Sequence, residues 1–146
     1  AIARDKAATA RFLTDHGLPS PRTALLADAL GEEWRFPVFV KPRHGSASRG
    51  IRLVTSAEDL RATVEEEPLI AQERLTGPEY TVNLYFNRAG TLRCAVPHER
   101  LQVRAGEVEK GRTCRTPALE SLAERLAAIL PGPRGALCFQ VMADTD

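Results

Sequence analysis

The chain has 146 residues, 43% of them hydrophobic and 27% charged, with a formal net charge of +1. That composition is ordinary for a soluble globular protein of one domain or two small lobes, and the balanced charge excludes wholesale nucleic-acid binding, so any basic site must be local. No apolar run approaches the ~20 residues of a membrane helix, and no signal-peptide pattern opens the chain. Cys94, Cys114 and Cys138 form no C-x-x-C pair. They read as buried small hydrophobes in a reducing, cytoplasmic setting rather than as a zinc site or disulfide framework.

Taken in order, Ile2 to His16 reads as a helix closed by Gly17. Ile2, Ala3, Ala7, Ala10 and Leu13 share one face at ~100° per residue, with Lys6 in its middle and Phe12 off it. A lysine so placed needs a partner, a ligand, or apolar surface for its stem. Leu18-Pro19-Ser20-Pro21 is a rigid linker to a short strand around Thr23 to Leu26, and Leu25 to Glu33 is expected to be a short helix.

The central stretch, Phe36 to Arg52, is FPVFVKPRHGSASRGIR. It reads as a strand, a lysine at Lys41, a flexible loop, and a strand restarting at Ile51, Leu53 and Val54. The glycines and serines of the loop can turn main-chain N–H groups toward an anion. Lys41, Arg43 and Arg49 supply charge around it, as a polyphosphate site requires. The order of lysine and glycines fits neither a P-loop nor a dinucleotide fingerprint.

Ser56 with Asp59 resembles a capping box that opens a helix to about Glu66, with Leu60 and Val64 inward. Pro68 to Leu75 is β-prone and meets a turn at Thr76-Gly77-Pro78. Glu79 to Phe86 alternates strictly, with Tyr80, Val82, Leu84 and Phe86 on one face and Glu79, Thr81, Asn83 and Tyr85 on the other. Asn87 to Gly90 turns into a returning strand, Leu92 to Val96. Leu101 to Glu109 adds short strand on either side of Gly106, and Lys110-Gly111 reads as a loop. Thr116 N-caps a helix with Pro117 at its first position and an apolar stripe through Leu119, Leu122, Ala123, Leu126, Ile129 and Leu130. Gly135 to Met142 is a last strand. The mixed order gives an α+β fold class. The chain opens inside a helical pattern and closes on Ala143-Asp144-Thr145-Asp146, which reads as a piece of a longer protein.

Several motifs together resemble the ATP-grasp superfamily over nearly the whole length, in the manner of the carbamoyl-phosphate synthase large subunit. They are Asp5-Lys6 at a helix head, Pro19-x-Pro21-x-Thr23, Phe36 to Pro42, and the loop Gly45 to Gly50. Gln72-Glu73-x-Leu75-x-Gly77-Pro78-Glu79-Tyr80 and Gly135 with Phe139-Gln140-Val141 complete the set. The resemblance implies an ATP-grasp fold of two α+β lobes with antiparallel sheets. Residues 1–75 would be the N-terminal lobe, with a phosphate lid loop at 43–50, and 76–146 an incomplete C-terminal lobe. It implies ATP bound between the lobes with magnesium, or manganese in its place. Lys6 and Lys41 would hold the phosphates, Lys41 as the catalytic residue, and Ser46, Ala47 and Ser48 would cover them through N–H groups. Glu73, Arg74 and Leu75 would line the adenine, Glu79 would accept from the ribose hydroxyls, and Gln140 would sit beside the metal.

In the family, the strand after that of Gln140 carries a glutamate, an asparagine two residues on, and an arginine. The chain stops before that strand, and Asp144 and Asp146 are poor stand-ins. Arg100, Arg104 and Lys110, with Glu107 among them, resemble the acceptor side and are candidates to meet a carboxylate substrate. The implied activity of the parent is carboxylate–amine ligation through an acyl phosphate. The alternative is nucleotide binding without turnover. ATP and a small carboxylate are the expected partners, with no nucleic acid and no membrane, and a homo-oligomer is left open.

Overall fold

The computed structural model describes residues 2–45 and 49–143. The chain divides into two compact units, Ala1–Leu75 and Thr76–Asp146. The expected α+β architecture with antiparallel sheets is observed, one four-stranded sheet in each unit.

In the first unit the strands are β1 (Thr23–Leu25), β2 (Val38–Pro42), β3 (Arg52–Val54) and β4 (Leu69–Glu73), in the order β1-β4-β2-β3. All neighbours are antiparallel. Alternation sends Val38, Val40, Val54 and Ala71 to one face, where they pack with Leu26, Ala29, Leu60 and Leu69 as the core. The cross-strand pairs Phe39 with Gln72, Lys41 with Ile70, and Thr23 with Gln72 belong to the opposite face. The burial of two valines on one side of β2 thus fixes Lys41 on the other.

The helices are shorter than their periodicity suggests. Asp5 is extended (φ −122°) and its carboxylate accepts the Ala8 N–H at 3.1 Å, so α1 runs Lys6–Asp15 and Ile2–Arg4 is a separate 3-10 turn. An aspartate that can cap favours starting a helix over continuing one. Ile2 is therefore exposed rather than on the buried stripe. Gly17 closes the segment at φ +67°.

Helix α2 covers only Leu26–Ala29, where nine residues were expected to be helical (~25 to 33). The Ala29 carbonyl accepts from both the Glu32 N–H and Trp34 Nε1, each at 3.2 Å. Helix α3 (Ala57–Arg61) starts as expected, with Ser56 Oγ accepting the Asp59 N–H at 3.1 Å and Leu60 buried. It stops well before Glu66, and Val64 is 67% exposed rather than inward. Pro68 disfavours the helical conformation in the residue before it, so the helix cannot run on through Glu67. The Glu65 carboxylate instead accepts the Leu69 N–H at 2.9 Å and leads the chain into β4.

In the second unit, β5 (Glu79–Phe86), β6 (Leu92–Arg104), β7 (Glu107–Thr113) and β8 (Gly135–Met142) are ordered β7-β6-β5-β8. Val82, Leu84 and Phe86 are buried on one face of β5, while helix α4 (Pro117–Ile129) buries Leu119, Ala123 and Leu126. Strand β6 continues through Pro97 to Arg104 rather than ending at Val96. Lys110-Gly111, expected as a loop, lies within β7. A Cβ at Gly111 would stand 3.1 Å from His98 Cδ2 and 3.3 Å from the Glu99 carbonyl, so glycine here permits close strand approach. Thr116 precedes α4 without a side-chain cap; its hydroxyl donates to Cys114 Sγ at 3.6 Å.

Cys94 and Cys138 are exposed and Cys114 is half-buried, against the expectation of buried cysteines. Cys94 and Cys138 stand opposite Tyr85 and Asn83, on the outward positions of β5. No helix among the described residues is long and apolar enough to cross a membrane.

Candidate functional site

The chain has three lysines, Lys6, Lys41 and Lys110, among its 20 lysines and arginines. Two of the three converge in the first unit. Lys6 opens α1, and its Nζ donates to the carbonyls of Pro42 and Gly45, each at 2.9 Å. Those carbonyls follow Lys41 along the chain, so the helix start is tied to the end of β2. The Lys6 N–H also donates to the Arg43 carbonyl at 3.0 Å. The inward direction of Lys6 expected from the helix face is explained by these contacts.

Lys41 Nζ donates to Gln72 Oε1 at 2.6 Å, and Gln72 Nε2 donates in turn to Thr23 Oγ1 at 2.8 Å. Burial, and then the charge of Lys6, hold the Lys41 ammonium below the ordinary lysine value. Burial also lowers Lys6, with Asp5 and Glu67 acting in the opposite sense. Two ammonium groups therefore repel each other in a half-buried place, held by main-chain carbonyl and amide oxygens. Such an arrangement is short of negative charge and suits an anionic ligand.

Arg43 was expected to add to that charge. It is instead bound to Asp5, with Nε 2.9 Å from both carboxylate oxygens and Nη2 2.6 Å from Oδ2. The same carboxylate caps α1, so Asp5 joins helix start and loop start. Its pKa is held well below the usual carboxylate range, first by Arg43 and then by the Ala8 N–H. A fork geometry with a carboxylate at hand explains why this arginine is taken up internally. Arg49 is exposed. Ser46, Ala47 and Ser48 lie outside the described residues, as do Asp144 and Asp146.

Gln72 is the residue that sequence reasoning missed. Glu73 was singled out, but alternation puts the two on opposite faces, and the one facing Lys41 is Gln72. The signal was present as a lone amide in the run Pro68 to Ala71 followed by Gln72, where a buried polar group needs a partner. The Glu73 side chain and main chain are both occupied by Arg22. Its Oε2 accepts the Arg22 N–H at 3.1 Å, and its N–H donates to the Arg22 carbonyl at 2.9 Å. Arg74 is exposed and Leu75 half-buried just beyond β4.

In the second unit, Glu79 and Thr81 share a face of β5, and Gln140 stands directly opposite Thr81 on β8. Arg100 joins them from β6. Its side chain is 5% exposed, with Nε 3.1 Å from Glu79 Oε1. Nη1 donates to Thr81 Oγ1 at 3.1 Å and Nη2 to the Gly106 carbonyl at 2.9 Å. The structure thus brings Glu79, Arg100 and Gln140 to one face. Arg104 is not among them: its guanidinium is 78% exposed and pairs with Glu109 at 3.1 Å. Lys110 is an exposed residue of β7 opposite Gln102. Among the described residues, no group of three His, Cys, Asp or Glu side chains could hold a metal ion, and Gln140 offers a single exposed amide.

Comparison with known proteins places these features in context. The family profile described as ATP-grasp domain matches residues 3–145. The D-alanine–D-alanine ligase of Aromatoleum aromaticum is 37% identical over 99 residues, which cover 61% of this chain and 32% of that protein. The chain thus spans about a third of the length of that curated relative. Among solved structures, N5-carboxyaminoimidazole synthetase from Staphylococcus aureus, complexed with ADP, superposes with a TM-score of 0.83 at 16% identity, covering 99% of this chain and 42% of that one. The biotin carboxylase domain of Hydrogenobacter thermophilus 2-oxoglutarate carboxylase, in complex with MgADP, ADP and bicarbonate, gives a TM-score of 0.78 at 18% identity, covering 99% and 37%. At these identities the two structures establish the shared fold.

Proposed function

From the premise that this chain belongs to the ATP-grasp domain family, we propose that it is the ATP-binding part of a cytoplasmic ligase that activates a small carboxylate as an acyl phosphate for attack by an amine or similar nucleophile. The observation that carries this reading is the Lys6–Lys41 pair, two repelling ammonium groups whose direct partners among the described residues are neutral oxygens. Phosphate oxygens supply the missing negative charge. The relatives support the same class of chemistry, since D-alanine–D-alanine ligase joins amino acids and the Hydrogenobacter domain was captured with MgADP and bicarbonate.

In the reaction so proposed, a carboxylate oxygen attacks the γ-phosphorus of ATP and ADP leaves. The nucleophile then attacks the acyl carbon and phosphate leaves. Lys6 and Lys41 would hold phosphate oxygens in place and offset the charge gathering on them, and catalysis would be chiefly positioning and electrostatics. Main chain at Arg74 and Leu75 would read the adenine edge, with the Leu75 side chain against the ring. Glu79 would accept from the ribose hydroxyls. Magnesium that accompanies nucleotide would find one amide oxygen at Gln140. The described residues do not form a magnesium site by themselves.

That same shortage of metal ligands favours a second reading for the chain on its own, nucleotide binding without turnover. Calorimetry with ATP, paired with an ADP-release assay of the full-length protein over a carboxylate and amine panel, separates the two. Ligation predicts ADP release that needs a particular carboxylate and vanishes in Lys41→Ala. Binding without any ADP release supports the second reading, and no ATP-dependent heat removes both.

A further inference from the structure

Arg100 is almost wholly buried in the second unit, yet one of its donors is left over. Nε lies 3.1 Å from Glu79 Oε1, but its N–H does not point at that oxygen, and among the described residues Nε has no hydrogen-bond acceptor. The other two nitrogens are anchored. Nη1 donates to Thr81 Oγ1, a hydroxyl that is itself buried, and Nη2 to the Gly106 carbonyl. Gly106 and its neighbour Ala105 both have positive φ, +83° and +50°, in the turn between β6 and β7. An alanine rarely adopts that conformation, and doing so here directs the turn's carbonyl onto the guanidinium. The arginine is therefore fixed from two sides before Glu79 is considered. The Glu79 carboxylate, one-third exposed, makes no other polar contact among the described residues.

We propose that Arg100 is the positioning residue for Glu79: a guanidinium fixed by the Thr81 hydroxyl and the Ala105-Gly106 turn holds one carboxylate oxygen by charge and leaves the other to accept from vicinal hydroxyls of a ribose. This rests on the reading of Glu79 as the ribose acceptor. The ion pair is a held pair rather than a completed hydrogen bond, so the carboxylate keeps the freedom to meet its ligand. Without Arg100, Glu79 is an ordinary strand carboxylate free to turn into solvent, and its selectivity for a hydroxylated sugar is lost. Arg100 itself does not touch the nucleotide in this arrangement, which separates it from a substrate-binding arginine.

The experiment compares dissociation constants for ATP and 2′,3′-dideoxy-ATP in the full-length protein, as wild type and as Glu79→Gln, Arg100→Gln, Thr81→Val and the Glu79→Gln/Arg100→Gln double variant. A hydrogen bond to a charged group predicts a wild-type preference for ATP of about tenfold or more. Glu79→Gln and Arg100→Gln should each reduce the preference toward unity by weakening ATP while leaving dideoxy-ATP binding in place, and the double variant should be no worse than either single one. Thr81→Val, nearly isosteric, releases one anchor and should reduce the preference partly, which keeps the test decisive where Arg100→Gln unfolds. An undiminished preference in folded Arg100→Gln or Thr81→Val overturns the role of Arg100 while leaving ATP binding intact. A wild type that binds neither nucleotide overturns the ATP-binding reading and this inference with it.

Discussion

Replacing Lys41 by methionine separates what the lysine does for the fold from what it does for a ligand. Methionine keeps the length of the stem and removes the charge. In the fold, the change removes the 2.6 Å bond to Gln72 Oε1, and an amide oxygen left without its donor costs about 1–3 kcal/mol. Against this, the half-buried charge and its repulsion from Lys6 disappear, and both disfavour the native state as it stands. The two effects oppose each other and are of similar size, so Tm should move by no more than about 5 °C. Nothing offsets the loss for a bound triphosphate. One charge-assisted bond to a phosphate oxygen is worth about 1.5–3 kcal/mol, which corresponds to a roughly 10- to 150-fold weaker Kd. Differential scanning fluorimetry with and without ATP, together with calorimetry, reads both quantities. A folded Lys41→Met with ATP affinity within about threefold of wild type would mean that Lys41 holds no phosphate. A collapse in Tm with no ligand present would make Lys41 a structural residue instead.

Further outcomes follow from the same contacts. The folded-state pKa of Lys41 lies below its ordinary value of 10.5, so its charged form is disfavoured by the fold. Stability should therefore rise as pH climbs through that lowered value toward 10.5, while ATP affinity falls over the same window; denaturant titrations and calorimetry of wild type against Lys41→Met isolate both slopes. Asp5 gives a slope of the same sign by the converse route, because the fold favours its charged form: its depressed pKa contributes stability above the usual 3.8 that is lost as pH falls through the lower folded value. Asp5→Asn should lower Tm at neutral pH and flatten the acid limb of the unfolding curve, and an unchanged acid limb would contradict the pairing with Arg43. Ala105→Gly should stabilise the protein by about 1 kcal/mol in urea denaturation, because glycine adopts φ +50° without the steric cost that alanine bears there. A destabilised Ala105→Gly would show that this turn is not under strain.

How far the sequence was legible depends on the range of the interaction. Strands β5 and β8 were readable because alternation is local, and Ser56 and Gly17 marked the start of α3 and the end of α1 through caps that involve a few neighbouring residues. Helix ends at Asp5, Ala29 and Arg61 were misread because competing side-chain bonds, not periodicity, decide them. The Lys110-Gly111 segment looked like a loop because a glycine that admits a close neighbouring strand cannot be told from one that turns the chain. At the site, Lys6 and Lys41 were visible in a helical face and a strand end. The pairing of Lys41 with Gln72, of Arg43 with Asp5 and of Arg100 with Glu79 spans long sequence separations; strand pairing brings the first and third together, and the docking of the α1 start on the end of β2 brings the second. Arg43 shows the cost of reading charge without geometry: a basic residue in a glycine-serine loop proved to be committed to a helix cap.

The proposed site places a nucleotide triphosphate against Lys6 and Lys41. An ATP acyl-phosphate probe, which transfers its acyl group to lysines lying beside bound phosphates, tests it directly when the labelled sites are mapped by mass spectrometry of the full-length protein. The prediction is acylation at Lys6 and Lys41, suppressed by excess ATP, with Lys110 labelled only slowly and without ATP protection. Labelling confined to Lys110, or labelling of Lys6 and Lys41 that ATP leaves unchanged, would contradict it.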